Sequence, residues 1–345
     1  MSIEPASELA LEQPGLDFEP GAARPTAGVG PGKLALRRLR RNKVALAFGA
    51  LFLVMVAISL AAPVWKNVAG TGPFTNHVSD QITVGGKTKN VISTDGKPIG
   101  PTWHKKFFLG ADTNGRDIMV RLLYGGRNSL YIGILAAIIM TILSIAIGLI
   151  AGYFRGWVDA VIARSLDVIW AFPVILLGVA LGTALALGGL KLGPITIEGD
   201  SKLIPVLIIA VVYVPYMARP IRGEVLSLRE REFVEAARAQ GAGAFRIMFT
   251  ELLPNLATTI IVFFPLMVAN AILLEAALSF LGAGVRPPDP SWGTMIGEGV
   301  ERIISAPHLA IAPGIMLVVT VLSINVFGDG VRDALDPRAK VRIER

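Results

Sequence analysis

Three scattered histidines, a glycine-lysine run, one carboxylate inside an apolar stretch and one patterned charged loop are the residues here whose types could do chemistry. His77, His104 and His308 are widely separated and the chain has no cysteine. Thiol nucleophiles, disulfides and thiolate metal sites are thereby excluded, and no metal centre is expected. Gly85-Gly86-Lys87-Thr88 looks like the end of a phosphate-binding loop, but the first glycine of that pattern would fall at Gln81. Gly32-Lys33 fails as well, because Leu34 stands where a hydroxyl residue would help hold magnesium. Glu275 lies within an apolar run, where a charged, unpaired carboxylate is costly at membrane depth. It is read as an outer-gate candidate, acting there through a structural contact. Arg164 and Asp167 have the spacing of a helical ion pair.

The charged loop is "SLREREFVEAARAQGAGAFRIMFTELLPN", Ser227 to Asn255. Ser227 and Glu230 have the spacing of a capping box, which places a helix start there. Phe233, Ala236 and Ala237 then share one face, and Gly241 suits the left-handed conformation that ends a helix. Phe245, Met248, Phe249 and Leu252 form a second face, stopped by Pro254. Two short amphipathic helices meeting at a glycine bend are expected. The simplest role for such faces is to lie on the bilayer or on the protein's own helices. Two features favour a protein partner: Ala236 and Ala237 admit close approach, and the charges are mixed in sign rather than basic.

The elements that must position these residues are membrane helices. The chain is 53% hydrophobic, 17% charged and has a mean hydropathy of +0.60, too apolar for a soluble domain. Its net charge of +7 comes from Lys and Arg at the ends of apolar runs, where lipid headgroups and topology account for them, so nucleic acid is not expected as a partner. A span needs about 20 apolar residues, and six stretches qualify: 44–62, 130–152, 164–188, 203–219, 257–281 and 309–328. Lys33, Arg37, Arg38, Arg40, Arg41 and Lys43 precede the first, placing both termini and the 227–255 loop in the cytosol. Residues 1–43 read as a basic-ended tail, flexible over 1–32. Residues 63–128 read as an extracytoplasmic loop with a gate segment and a β-hairpin turning at Gly85-Gly86 and Asp95-Gly96. Residues 129–328 would be a five-helix core and 329–345 a cytosolic tail. "SWGTMIGEGVERIISAP" is too polar to span and reads as a short helix on the outer surface, while several prolines beside apolar runs are candidate bends. His308 reads as an interfacial anchor.

"EAARAQGAGAFRIMFTELLP" resembles the EAA loop of ABC importer permeases in Glu235, Ala236, Ala237, Gly241, Leu253 and Pro254, with Glu251 departing from the usual Ile or His. "LGADTNGRDIMVRLLYGGRNSL", "EAALSFLGAGVRPPDPSWGTMIGEG" and "GDGVRDALDPR" are similar to the second permease subunit of dipeptide, oligopeptide and nickel importers. The resemblance implies an all-α polytopic membrane protein of six transmembrane helices with the type I ABC importer permease fold, carrying a small β-hairpin insertion. It implies a bacterial inner-membrane location and an ATP-driven peptide importer in which this chain is half of the pathway. Its implied partners are a homologous permease, two ATP-binding subunits, an extracytoplasmic solute-binding protein and membrane lipid. Phe233, Glu235, Ala236, Ala237, Gly241, Phe245, Leu253 and Pro254 would couple to an ATPase subunit. The chain itself would bind no cofactor and catalyse nothing, ATP and Mg residing on the ATPase subunits. A nickel-chelate importer of the same family, an ion-coupled secondary transporter and an intramembrane enzyme are the alternatives.

Overall fold

The computed structural model describes residues 31–336. The flexible tail expected over 1–32 falls, up to residue 30, outside the described residues, as do residues 337–345. The described residues begin with a basic helix, α1 (Pro31–Arg41), where part of the featureless tail was expected. The next helix, α2 (Lys43–Leu60), starts where Asn42 accepts the Ala45 N–H at 3.0 Å, and α3 (Ala62–Ala69) follows with proline in its first turn. The segment after α3 carries β1 (Gln81–Val84) and β2 (Lys87–Asn90), antiparallel with Ile82 opposite Lys89. Gly85 and Gly86 supply the two positive φ angles, 59° and 77°, that a two-residue hairpin of this hand requires.

Next comes α4 (Ile118–Phe154), whose 37 residues span ~55 Å, well beyond a hydrocarbon core of ~30 Å. It starts earlier than apolarity indicates because Asp117 caps it, accepting the Val120 N–H at 3.2 Å. The expected span 164–188 is instead two helices, α5 (Gly156–Ala171) and α6 (Val174–Gly188), at 91° to each other. Phe172, held extended before Pro173 at φ −90° and ψ 139°, makes the break. A short hairpin that the sequence reading passed over, β3 (Leu190–Leu192) with β4 (Ile195–Ile197), leads into α7.

The helix α7 (Leu203–Leu228) runs past the expected end at 219. Arg219 and Arg222, which look like loop residues, are paired with Asp167 at 2.6 Å and with both oxygens of Asp159. Asp167 therefore finds its closer partner across helices, and Arg164 stands 3.7 Å off. Because α7 ends only at Leu228, Ser227 lies in its last turn, and the capping box expected there is not formed. After α8 (Glu232–Ala239), the chain from Ala244 to Phe280 is continuous: α9 (Ala244–Arg246), a π turn over Ile247–Leu252, and α10 (Leu253–Phe280). Two further helices, α11 (Trp292–Val300) and α12 (His308–Leu335), complete the fold, and α12 carries into the expected tail. Among the described residues, five helices are long and apolar enough to cross a membrane, or six if the bent pair counts as one span.

The hub of the bundle is α4, packed against α2, α5, α7, α10 and α11. Gly148 and Gly152 let α7 approach closely: a Cβ on either would stand 2.6 Å from Ile221 or Val225. The expected surface helix is an inserted one. α11 is capped by Ser291 and Thr294 and wedged against α4, α10 and α12. Its Trp292 is fully buried and donates its indole N–H to the Leu122 carbonyl at 3.1 Å.

Candidate functional site

Two places hold the sequence-derived candidates, at opposite ends of α4. At one end is the elbow between α7 and α10. Arg231 holds an extended conformation ahead of α8, and Gly241 follows it at φ 82°, a left-handed position with nothing within 4 Å of where a Cβ would stand. The second leg is not the separate helix expected from periodicity. Pro254 lacks an N–H and its ring crowds the preceding turn, yet the chain passes through it, because the π turn widens the hydrogen-bond ladder just before. There Leu253 donates to the Met248 carbonyl five residues back. Asn255 reinforces the passage by donating its side-chain amide to the Glu251 carbonyl at 2.6 Å.

This geometry redistributes the expected faces. Phe233, Glu235, Ala236, Phe245, Phe249 and Pro254 are exposed, Phe245 at 74%, while Ala237 and Leu253 are half-buried against the bundle. Met248 and Leu252, grouped by periodicity with Phe245 and Phe249, point inward instead, since the π turn changes the angular step. The anchors of the elbow are Val234 and Ile247, both at 0% exposure. Sequence reasoning missed them because each sits beside a more conspicuous phenylalanine or methionine. Arg229, donating to the Tyr153 carbonyl, and the Arg155–Glu230 pair at 2.7 Å fasten the elbow to the α4–α5 junction. Burial, followed by the charges of Arg155 and Arg238, lowers the pKa of the Arg229 guanidinium.

At the other end, Asp117 accepts the Phe107 N–H at 2.7 Å and the Thr71 hydroxyl at 3.2 Å. Burial raises its pKa against those opposing hydrogen bonds. Beside it is a charge cluster that sequence reasoning did not assemble. Arg116 reaches Asp112 at 2.7 Å and Glu298 at 3.1 Å, and Arg121 meets Glu298 at 2.7 Å and also pairs with Asp112. Two cations and two carboxylates thus tie the segment preceding α4, and α4 itself, to α11. The spacing of Asp112, Arg116 and Arg121 was visible in the sequence, but Glu298, 177 residues from Arg121, was not.

Glu275 does not face open space. It is fully buried between α10, α4 and α11, accepts the Ser279 hydroxyl at 2.7 Å, and has Ser129 and Ser291 around it. Its second carboxyl oxygen has no protein partner among the described residues. His308, half-buried, opens α12 beside Leu309, which lines a small pocket with Asp112, Arg121 and Glu298.

Residues 144–341 match the family described as binding-protein-dependent transport system inner membrane component. Residues 30–77 match the N-terminal transmembrane domain of oligopeptide transport permease C. A glutathione transport system permease protein of Pectobacterium atrosepticum is 36% identical over 304 residues, 88% of this chain and 90% of that protein. A dipeptide transport system permease protein of Alkalihalophilus pseudofirmus is 36% identical over 342 residues, 99% of this chain and all of that one. The fold is similar to a chain of the inward-facing MetNI methionine ABC transporter, with a TM-score of 0.52 at 17% identity, covering 64% of this chain and 98% of that one.

Proposed function

Because the chain belongs to the family of binding-protein-dependent transport system inner membrane components, we propose that its elbow is the part on which a cytosolic ATPase subunit acts during peptide import. The chain is a permease subunit of an ABC importer. A homologous permease would supply the other half of the pathway, two ATPase subunits would hold ATP and Mg, and an extracytoplasmic binding protein would deliver cargo. Both termini and the elbow lie in the cytosol on this reading, and the charge cluster lies outside. The chain contributes no catalytic residue.

The observation that carries the reading is the exposed trio Phe233, Phe245 and Phe249 on an elbow continuous with α10 and linked directly to α7. Burying one such side chain in a partner contributes about 1.5–3 kcal/mol, so the three can hold a dock through repeated strokes. Closure of the ATPase subunits would push α8 as a rigid lever and switch the bundle between outward- and inward-facing states. Glu275, hydrogen-bonded to Ser279 and flanked by Ser129 and Ser291, is assigned a role in keeping α11 seated at the outer gate. Reconstituting the chain with its partner subunits and binding protein, and following ATP-dependent uptake of a labelled dipeptide and of a nickel chelate, tests the reading. Uphill uptake by this chain alone would defeat it, and uptake of the chelate without the peptide would replace the cargo.

A further inference from the structure

A cavity of about 950 Å³ opens between α2, α4 and the start of α7, at the end of the bundle away from α8. Its rim is polar. Lys202 is already engaged there by Asp289 at 2.9 Å and by the Asn128 side chain at 3.1 Å. Arg127, which is exposed, has no hydrogen-bond or ion-pair partner among the described residues. Below the rim the walls turn apolar, with Val56 from α2 and Ile134, Leu135 and Ile138 from α4. Arg127 and Ile138 lie ~16 Å apart along the helix, about half of the ~30 Å hydrocarbon thickness. Tyr124 and Tyr131 flank the transition, where aromatic rings favour the membrane interface.

We propose that this cavity holds an anionic phospholipid of the leaflet opposite α8, its phosphate on Arg127 and one acyl chain along the apolar shaft. The charge accounting favours an anion, since Asp289 already neutralises Lys202 and leaves one guanidinium over. The depth favours a chain that stops at the bilayer midplane. A peptide fits the shaft poorly, because its amides would meet only hydrocarbon there, and unpaired amides in such surroundings are costly.

The test uses the full chain assembled with its partner subunits, purified from nanodiscs of mixed phosphatidylglycerol and phosphatidylethanolamine, with retained lipid quantified by native mass spectrometry. Wild type retains phosphatidylglycerol above its bulk share. R127Q retains about fivefold less, the factor corresponding to the ~1 kcal/mol that one basic residue contributes near an anionic surface. I138W, which fills the shaft from an exposed position, also lowers retention. Undiminished phosphatidylglycerol in R127Q overturns the proposal. So does displacement of the lipid by a free-acid dipeptide, which would make the cavity a cargo site, or by inorganic phosphate with no effect of I138W, which would make it a simple anion site. Phosphatidylglycerol retained by the chain purified alone but absent from the full assembly would also overturn it and reassign the groove to the second permease.

Discussion

Replacing Gly241 with valine perturbs one backbone angle and little else. Gly241 sits at φ 82° with open space around the missing Cβ, so the substitution meets no steric clash with neighbours. Its effect comes from holding a β-branched residue in the left-handed region, about 1–3 kcal/mol. At ~1.4 kcal/mol per tenfold, the population with α8 correctly aimed falls roughly 5- to 140-fold. Gly243 provides the control, since it too has nothing within 4 Å but lies at φ −73° and ψ 164°, which any residue adopts. G241V and G243V make the same change in composition two residues apart, and only the first strains the chain. The assay compares transport-coupled ATP hydrolysis and dipeptide uptake in proteoliposomes, with subunit stoichiometry checked by gel filtration. G241V is expected to assemble yet uncouple, and G241N to recover part of the activity because asparagine tolerates this region. Equal uptake in G241V and G243V would refute the reasoning.

Phe245→Ala combined with Phe249→Ala removes exposed side chains, so the melting temperature of the isolated chain should not move, while affinity for the ATPase subunit should drop at least about tenfold in a pull-down titration. Leu252→Ala, at a fully buried position inside the π turn, should cost about 2–5 kcal/mol and lower the melting temperature in detergent. Glu298→Gln leaves two arginines facing Asp112 alone; with Glu298 itself one-third exposed, a loss of about 3 kcal/mol is expected, visible as early thermal unfolding and partly reversed by removing Arg121 as well. Glu275→Leu keeps the volume but strands the surrounding serine hydroxyls, and should reduce assembly more than Glu275→Gln does.

The membrane spans were legible because apolar runs of that length have few other homes. Their ends were not, because a charge on a helix reads as a loop until its partner is known. Arg219 and Arg222 extend α7 only by virtue of Asp167 and Asp159, which belong to α5. Prolines were similarly ambiguous. Pro215, Pro220, Pro265 and Pro313 sit inside continuous helices, whereas Pro173 splits a span, and the difference lies in the extended Phe172 before it. In the elbow the glycine turn was readable from residue type alone. Which face points inward was not, since an unbroken 3.6-residue period was assumed where the chain makes a π turn.

The two ends of the bundle are fastened by different physics. At the elbow the Arg155–Glu230 pair is about half exposed, and such pairs contribute up to about 1 kcal/mol. The remaining hold is Arg229 on the Tyr153 carbonyl and the packing of Val234 and Ile247. At the far end Arg121 is almost wholly buried among carboxylates that also hold Arg116, so no single pair opens without stranding another charge. The elbow is thus held by separable contacts, whereas the cluster's shared carboxylates couple its pairs to one another. Both ends are carried on the same α4, where Tyr153 and Arg121 belong to one unbroken helix. On the proposed reading, a push on α8 would reach the cluster through this one helix, and the cluster, sharing its carboxylates between two arginines, would respond as a unit.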